Sequence, residues 1–212
     1  MILIGQYDSP FVRRVGIALT LYGIPFRQEP WSVFGDADQI RRYNPLTRVP
    51  TLVLDDGDSL IESHMILDHL DLVVGAARAL FPQTDPERRR ALKVAALATG
   101  VGDKAVSLFY ERALHQEMSQ RWAERCATQI ASVLDALEAD RAGREGAYWF
   151  GDGIGHADIA VACCLAYLEF RFAELKGTIR ERLDRYGVFH DNTPDASART
   201  IGEAVKQYLR DF

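Results

Sequence analysis

The sequence predicts two domains of different class: an α/β N-terminal domain over residues 1–75, with a mixed four-stranded sheet in βαβαββα order, and an all-α domain over residues 87–212, joined by a linker at 76–86. Three observations carry this. A short apolar run, Ile2-Leu3-Ile4, leads through Ser9-Pro10 into a helical pattern. Two further apolar runs, at 51–54 and 59–61, flank Asp55-Asp56-Gly57-Asp58, a composition that turns a chain back on itself. Near residue 75 the composition shifts, and the apolar spacing beyond it is helical.

Taken in order, residues 2–7 read as a strand and 10–22 as a helix ended by Gly23. Val12, Val15, Leu19 and Tyr22 share one face of that helix, and Ile17, Ala18 and Leu21 widen the apolar stripe. Pro10 suits a first helical turn, which makes Ser9 the N-cap. A strand at 26–30, a short helix at 36–43, the hairpin at 51–61 and a helix at 63–74 follow, the last opened by Ser63 as a natural N-cap. A helical crossover gives parallel pairing and the Asp-Gly turn antiparallel pairing, so the sheet is mixed. That order is the one of the thioredoxin-like fold. Thr84-Asp85-Pro86-Glu87 then has capping-box spacing for a new helix at 86–116, interrupted by Gly100 and Gly102. Helices at 118–141, 155–174, 177–187 and 194–210 complete the reading.

Composition excludes several function classes. With 48% apolar residues in 212, the chain can bury two cores, and a net charge of -5 argues against nucleic acid as a ligand. Arg41, Arg42 and Arg88 to Arg90 read as solvated helix faces. The longest apolar run, Ile159 to Leu168, is too short to span a bilayer, and no export signal is visible, so neither a membrane nor a secreted context is expected. Cys126, Cys163 and Cys164 lack metal-like spacing and are too few for a disulfide framework, which points to a reducing cytoplasm and no metal.

The chemistry concentrates in three segments: Tyr7-Asp8-Ser9-Pro10-Phe11-Val12-Arg13-Arg14, Asn44-Pro45-Leu46-Thr47-Arg48-Val49-Pro50 and Glu62-Ser63. A serine hydroxyl at a helix N-terminus lies beside unpaired backbone donors and the positive end of the helix dipole, a corner that attracts a thiolate or a carboxylate. No His/Asp pair stands near Ser9 in the sequence, and His64, His69, His115, His156 and His190 form no triad, so a donor role suits Ser9 better than a nucleophilic one.

Together these segments resemble the cytosolic glutathione S-transferases, most closely the serine-type bacterial and plant tau-like members with Ser-Pro-Phe before a basic pair. The resemblance implies glutathione as co-substrate, a small hydrophobic electrophile as second substrate, and a homodimer. It implies that Ser9 activates the glutathione thiol, that Val49-Pro50 is cis with the Val49 backbone pairing to the cysteinyl residue, and that Glu62 and Ser63 hold the γ-glutamyl end. Phe11 falls in the same binding motif. Arg48 reads equally as reaching the glycyl carboxylate or as a surface arginine, and Ser63 has a plain cap as its alternative.

Tyr7 is the rival thiol donor, since other classes use a tyrosine phenol there; otherwise it lines the cleft with the second substrate or packs on the sheet. Position 9 is not cysteine, which argues against mixed-disulfide chemistry. In the helical half, Asp103 falls where some classes reach glutathione across a dimer, with a solvated or capping role as the alternative. Phe109 and Tyr110 are candidates for the second-substrate wall or for core packing. Gly155-His156-Ala157-Asp158 matches the family's helix-start motif, but Gly155 replaces its usual Ser or Thr and removes one half of a capping box. The segment after Phe189 departs from the family's usual ending. Three readings stay open: a serine-type transferase; a glutathione-dependent isomerase, dehalogenase or peroxidase; and a non-catalytic interaction module on the same fold. The isomerase class usually carries Ser-Ser-Cys before its first helix, which this chain lacks.

Overall fold

Ile2-Leu3-Ile4 forms strand β1 (Ile2–Ile4) in the computed structural model, which describes residues 1–172. β1 pairs in parallel with β2 (Arg27–Glu29) and antiparallel with β3 (Thr51–Val53), which pairs antiparallel with β4 (Ser59–Ile61). The sheet order is β2-β1-β3-β4. Between the strands lie α1 (Pro10–Tyr22) and α2 (Ala37–Arg41), and α3 (Ser63–Val74) follows β4.

Alternation along β1 divides the core. Leu3 faces the layer built from Val12, Val15 and Leu19 of α1 and Ile66, Leu67 and Leu70 of α3, while Ile4 joins Ile40 of α2 and Val53 with Trp31 and Val33 against them. Helix α1 ends at Gly23 in the left-handed conformation, φ 64°, with Ile24 N–H returning to the Leu19 carbonyl.

β1 is shorter than the 2–7 run reads. At Gly5 the chain takes φ +130°, and a Cβ there would lie 2.5 Å from Val12 Cγ2 and 2.8 Å from Val49 Cβ. The strand therefore stops where the backbone must squeeze between helix and loop, and only glycine fits. Beyond Gly5 the Ser9 N–H bonds the Gln6 carbonyl, turning the chain into α1.

At the far end of this unit a buried network that the sequence did not suggest ties three segments together. The Tyr22 hydroxyl donates to the Asp71 carboxylate, whose oxygens also accept from the N–H groups of Leu80 and Phe81 at 3.1 Å each. Arg78 donates to the Tyr22 carbonyl.

The helical unit begins at Thr84. Helix α4 (Glu87–Leu114) packs against both α5 (Gln120–Ala142) and α6 (His156–Arg171). Ala91, Ala95, Ala98, Gly102 and Ala105 are buried along α4, small residues at alternating spacings of four and three. Gly100 and Gly102 do not interrupt the helix, because its turns are held by this packing. The capping box expected from Thr84 is also absent. α4 starts after Pro86 with no side-chain cap, and the Arg88 and Arg90 N–H groups bond the Thr84 and Pro86 carbonyls instead. Of the helices expected here, 177–187 and 194–210 lie outside the described residues. Among the described residues no helix is long and apolar enough to cross a membrane.

At the start of α6 only the carboxylate half of a capping box exists. Asp158 accepts from the Gly155 N–H at 2.8 Å and from the Trp149 N–H at 2.9 Å. Burial outweighs these donors and pushes the Asp158 carboxyl up to about 6 from 3.8. The folded state thus binds the proton more tightly than the unfolded chain. The resulting stabilisation is complete below the unfolded value and is lost as pH rises through the folded one. Relative to Asp158→Asn, the wild type should lose up to about 3 kcal/mol of urea-unfolding free energy between pH 4 and pH 6.5. A difference that stays constant across this window would show that Asp158 does not titrate in it.

Candidate functional site

The strand registers bring the three motif segments to one edge of the sheet. Ile4 pairs with Thr51 and Thr51 with Ile61, so the end of β1, the start of β3 and the end of β4 lie side by side. Each is followed or preceded at once by a motif: Ser9 and Phe11 after β1, Arg48-Val49-Pro50 before β3, and Glu62-Ser63 after β4.

Ser9 is the N-cap of α1. Its φ of -71° and ψ of 123° are extended, and its Oγ accepts the Val12 N–H at 3.4 Å, which leaves the hydroxyl proton to donate elsewhere. Ser9 and Phe11 are both half-buried. Arg13 Nε donates to the Tyr7 carbonyl at 2.8 Å and fixes the loop ahead of the cap.

Of the two positions expected for Tyr7 as an alternative to thiol donor, lining the cleft or packing on the sheet, the structure has the packed one. Its side chain belongs to the core, 9% exposed, and a Cβ on Gly16 of α1 would lie 2.6 Å from its ring. The reason is the turn at Gly5, which rotates the following residues out of strand alternation and points the ring inward. Burial pushes its phenol up to about 12, so it stays protonated across the physiological range.

The Val49–Pro50 bond is cis, as the family resemblance implies. The loop before it is organised by Asn44, whose Nδ2 donates to the Arg48 carbonyl at 2.9 Å and to Thr51 Oγ1 at 3.2 Å, while its Oδ1 accepts from the Leu46 N–H at 3.0 Å. Asn44 is buried, and sequence reasoning passed over this role. Its signal was an asparagine opening a proline-flanked turn.

The cap of α3 lies one residue earlier than expected. Glu62 occupies the N-cap position without a side-chain cap, at φ 64° and ψ 120°, and Ser63 is the first helical residue. Ser63 is therefore not a cap. It is 3% exposed, and its Oγ accepts from Arg14 Nη1 at 3.4 Å. The Glu62 carboxylate pairs with Arg48 at 3.0 Å, both side chains about half exposed.

Asp103, Phe109 and Tyr110 lie on α4 of the helical unit. Asp103 is exposed, whereas Phe109 and Tyr110 are half-buried with ring centroids 5.8 Å apart. The Arg171 guanidinium covers the Phe109 ring at 4.5 Å. Among the described residues no group of three acidic, histidine or cysteine side chains is placed to hold a metal.

Comparison with known proteins agrees with the fold. The glutathione S-transferase N-terminal domain family matches residues 3–74 and the glutathione S-transferase C-terminal domain family matches residues 120–190. An uncharacterized GST-like protein of Escherichia coli, YibF, is 33% identical over 178 residues, 81% of this chain and 83% of that one. Maleylacetoacetate isomerase of Rattus norvegicus is 29% identical over 79% of this chain and 78% of its own. A Methylobacterium radiotolerans glutathione S-transferase solved with glutathione sulfonate superposes with a TM-score of 0.79 at 28% identity, covering 92% of this chain and 97% of its own.

The backbone at Glu62 yields a stability test. A side chain at positive φ is strained by roughly 1–2 kcal/mol, and glycine is not. Glu62→Gly should therefore be about 1 kcal/mol more stable to urea than Glu62→Ala, although both lose the same carboxylate. The reverse order would mean that this conformation is not held in solution.

Proposed function

Because the chain belongs to the glutathione S-transferase family, we propose that it binds glutathione at the edge formed by Ser9, Val49-Pro50 and Glu62-Ser63 and activates its thiol through the Ser9 hydroxyl for attack on small hydrophobic electrophiles. The observation that carries the reading is the Ser9 N-cap: a hydroxyl at the start of a 13-residue helix with its proton available, beside the two other segments.

The magnitudes suffice. A free thiol titrates near 8.5, and each unit of depression requires about 1.4 kcal/mol of preference for the thiolate. A hydrogen bond to a charged acceptor contributes roughly 1.5–3 kcal/mol and a helix dipole about 0.3–1 kcal/mol, so Ser9 with the first turn of α1 supplies one to two units. Tyr7 is the weaker candidate, since its phenol is inside the core. In this reading the Val49 backbone pairs with the cysteinyl residue as an added strand. The γ-glutamyl carboxylate meets Ser63, and Glu62 accepts from the γ-glutamyl ammonium. Arg48, beside Glu62, is within the same cluster for the glycyl carboxylate.

A second reading is favoured by the likeness to maleylacetoacetate isomerase: the same thiolate adds reversibly and glutathione is regenerated. Against it stands Asp8-Ser9-Pro10, without the cysteine of the isomerase motif. Consumption of glutathione during turnover separates the two.

Mixing the protein with glutathione at neutral pH should raise ultraviolet thiolate absorbance. Ser9→Ala should lose that signal and about 10- to 150-fold of conjugating activity, while Tyr7→Phe retains both. An active Ser9→Ala beside an inactive Tyr7→Phe would reverse the assignment.

The reading includes a homodimer, supported by exposed Met65, Leu72 and Val73 on α3, of which Met65 and Leu72 are seven residues apart on one face. Sedimentation should give twice the mass of the chain, and Leu72→Glu should shift it to the monomer; a monomeric wild type removes this part of the proposal.

A further inference from the structure

Arg14 is the one arginine of the described residues that is wholly buried, 0% exposed, and it lies next to the candidate site. It stands on α1 three and four residues before Ile17 and Ala18, which places its side chain on the inward face of the helix. The guanidinium crosses to α3 and donates from Nη1 to Ser63 Oγ at 3.4 Å, over a sequence separation of 49 residues.

Burying a guanidinium is expensive, because it cannot shed its proton to become neutral, whereas methionine or leucine would fill the same space at no such cost. A charge held there calls for a role that an apolar side chain cannot supply. The contact with Ser63 indicates which one. A serine hydroxyl has one proton and two lone pairs; when a cation donates to the oxygen, the proton is turned outward and its donor strength rises. Ser63 is also the first residue of α3, where backbone N–H groups and the helix dipole add positive potential.

We propose that Arg14 is a positioning residue which orients the Ser63 hydroxyl as a donor and biases that point of the site toward a carboxylate, the α-carboxylate of the γ-glutamyl group. The inference rests on the reading of Glu62-Ser63 as the γ-glutamyl site. Arg14 acts through Ser63 and supplies the site's selectivity for that carboxylate.

The test compares two ligands on wild type, Arg14→Met, Arg14→Lys and Ser63→Ala, each first checked for its fold by circular dichroism and thermal melting. The ligands are S-methylglutathione, which removes thiol ionisation, and the analogue lacking the γ-glutamyl α-carboxylate, S-methyl-(4-aminobutyryl)-cysteinylglycine. Calorimetric titration of Arg14→Met should show about 10- to 100-fold weaker binding of S-methylglutathione and less than about threefold change for the analogue. Adding Ser63→Ala to Arg14→Met should cost little more than either change alone, as expected for residues that act as a unit. Arg14→Lys keeps the charge without the planar fork and should fall between; it decides the question if Arg14→Met does not fold.

Equal weakening of both ligands by Arg14→Met would show that the arginine only supports the fold, and the proposal would fail. Wild-type binding in Arg14→Met alongside weakened binding in Ser63→Ala would also end it, leaving the γ-glutamyl site intact. Unchanged binding of S-methylglutathione by Ser63→Ala would instead remove the γ-glutamyl reading itself, and this inference with it.

Discussion

The N-terminal unit is organised by the close approach of the chain at Gly5. Its missing Cβ lets the end of β1 sit between Val12 of α1 and Val49 of the loop before β3. Its N–H bonds the Glu29 carbonyl of β2, and its own carbonyl accepts from Gln28. Four segments therefore meet at one residue. Val12 of α1 and Val49 of the loop both close on the Gly5 backbone, and a side chain there would clash with atoms that sit close to the main chain.

Within each unit, several buried polar side chains are held where an element starts or ends. Asn44 closes the loop into β3, Arg14 reaches the start of α3, Asp71 fastens the chain that leaves α3, and Asp158 receives the chain that enters α6. Helix ends carry backbone donors and acceptors with no partner inside the helix, and a loop entering the core carries more. Side chains that satisfy such groups cannot move without exposing them, so the same bonds that contribute modestly to stability fix geometry closely.

That geometry suits a reaction in which the protein is asked to stabilise a charge and not to form a bond. A hydroxyl at a helix start needs no general base if its task is to donate to sulfur, and none is required among its neighbours. The starts of α1 and α3 follow the ends of β1 and β4, which flank β3 in the sheet, so on the proposed reading one extended ligand with a thiol and a carboxylate spans the strand between them. The Arg48–Glu62 pair places opposite charges about 3.0 Å apart beside these starts.

Local sequence determined what depends on local chemistry. Ser9-Pro10 and Gly23 bracket α1, and Asp-Gly marks the hairpin; the helical spacing past residue 86 sets the class of the second unit. The motif residues Ser9, Val49-Pro50 and Glu62-Ser63 were legible for the same reason, each being a short pattern with its own backbone preference. Tertiary structure decided the rest. Tyr7 reads equally as a thiol donor, a cleft residue or a packed one, and it is core because the chain turns at Gly5 before it. Arg14 reads only as one of a basic pair after Ser-Pro-Phe, and it is buried where α3, with Ser63 49 residues away, packs on the same face. Ser63 reads as a cap and is instead the first helical residue, because Glu62 takes the positive φ. Asn44, Tyr22 and Asp71 gained their roles from partners that only the strand register brings near. A helix or a turn is set by neighbours within a few residues, whereas burial and long-range hydrogen bonds depend on which surfaces meet, and no short segment of the sequence contains that information.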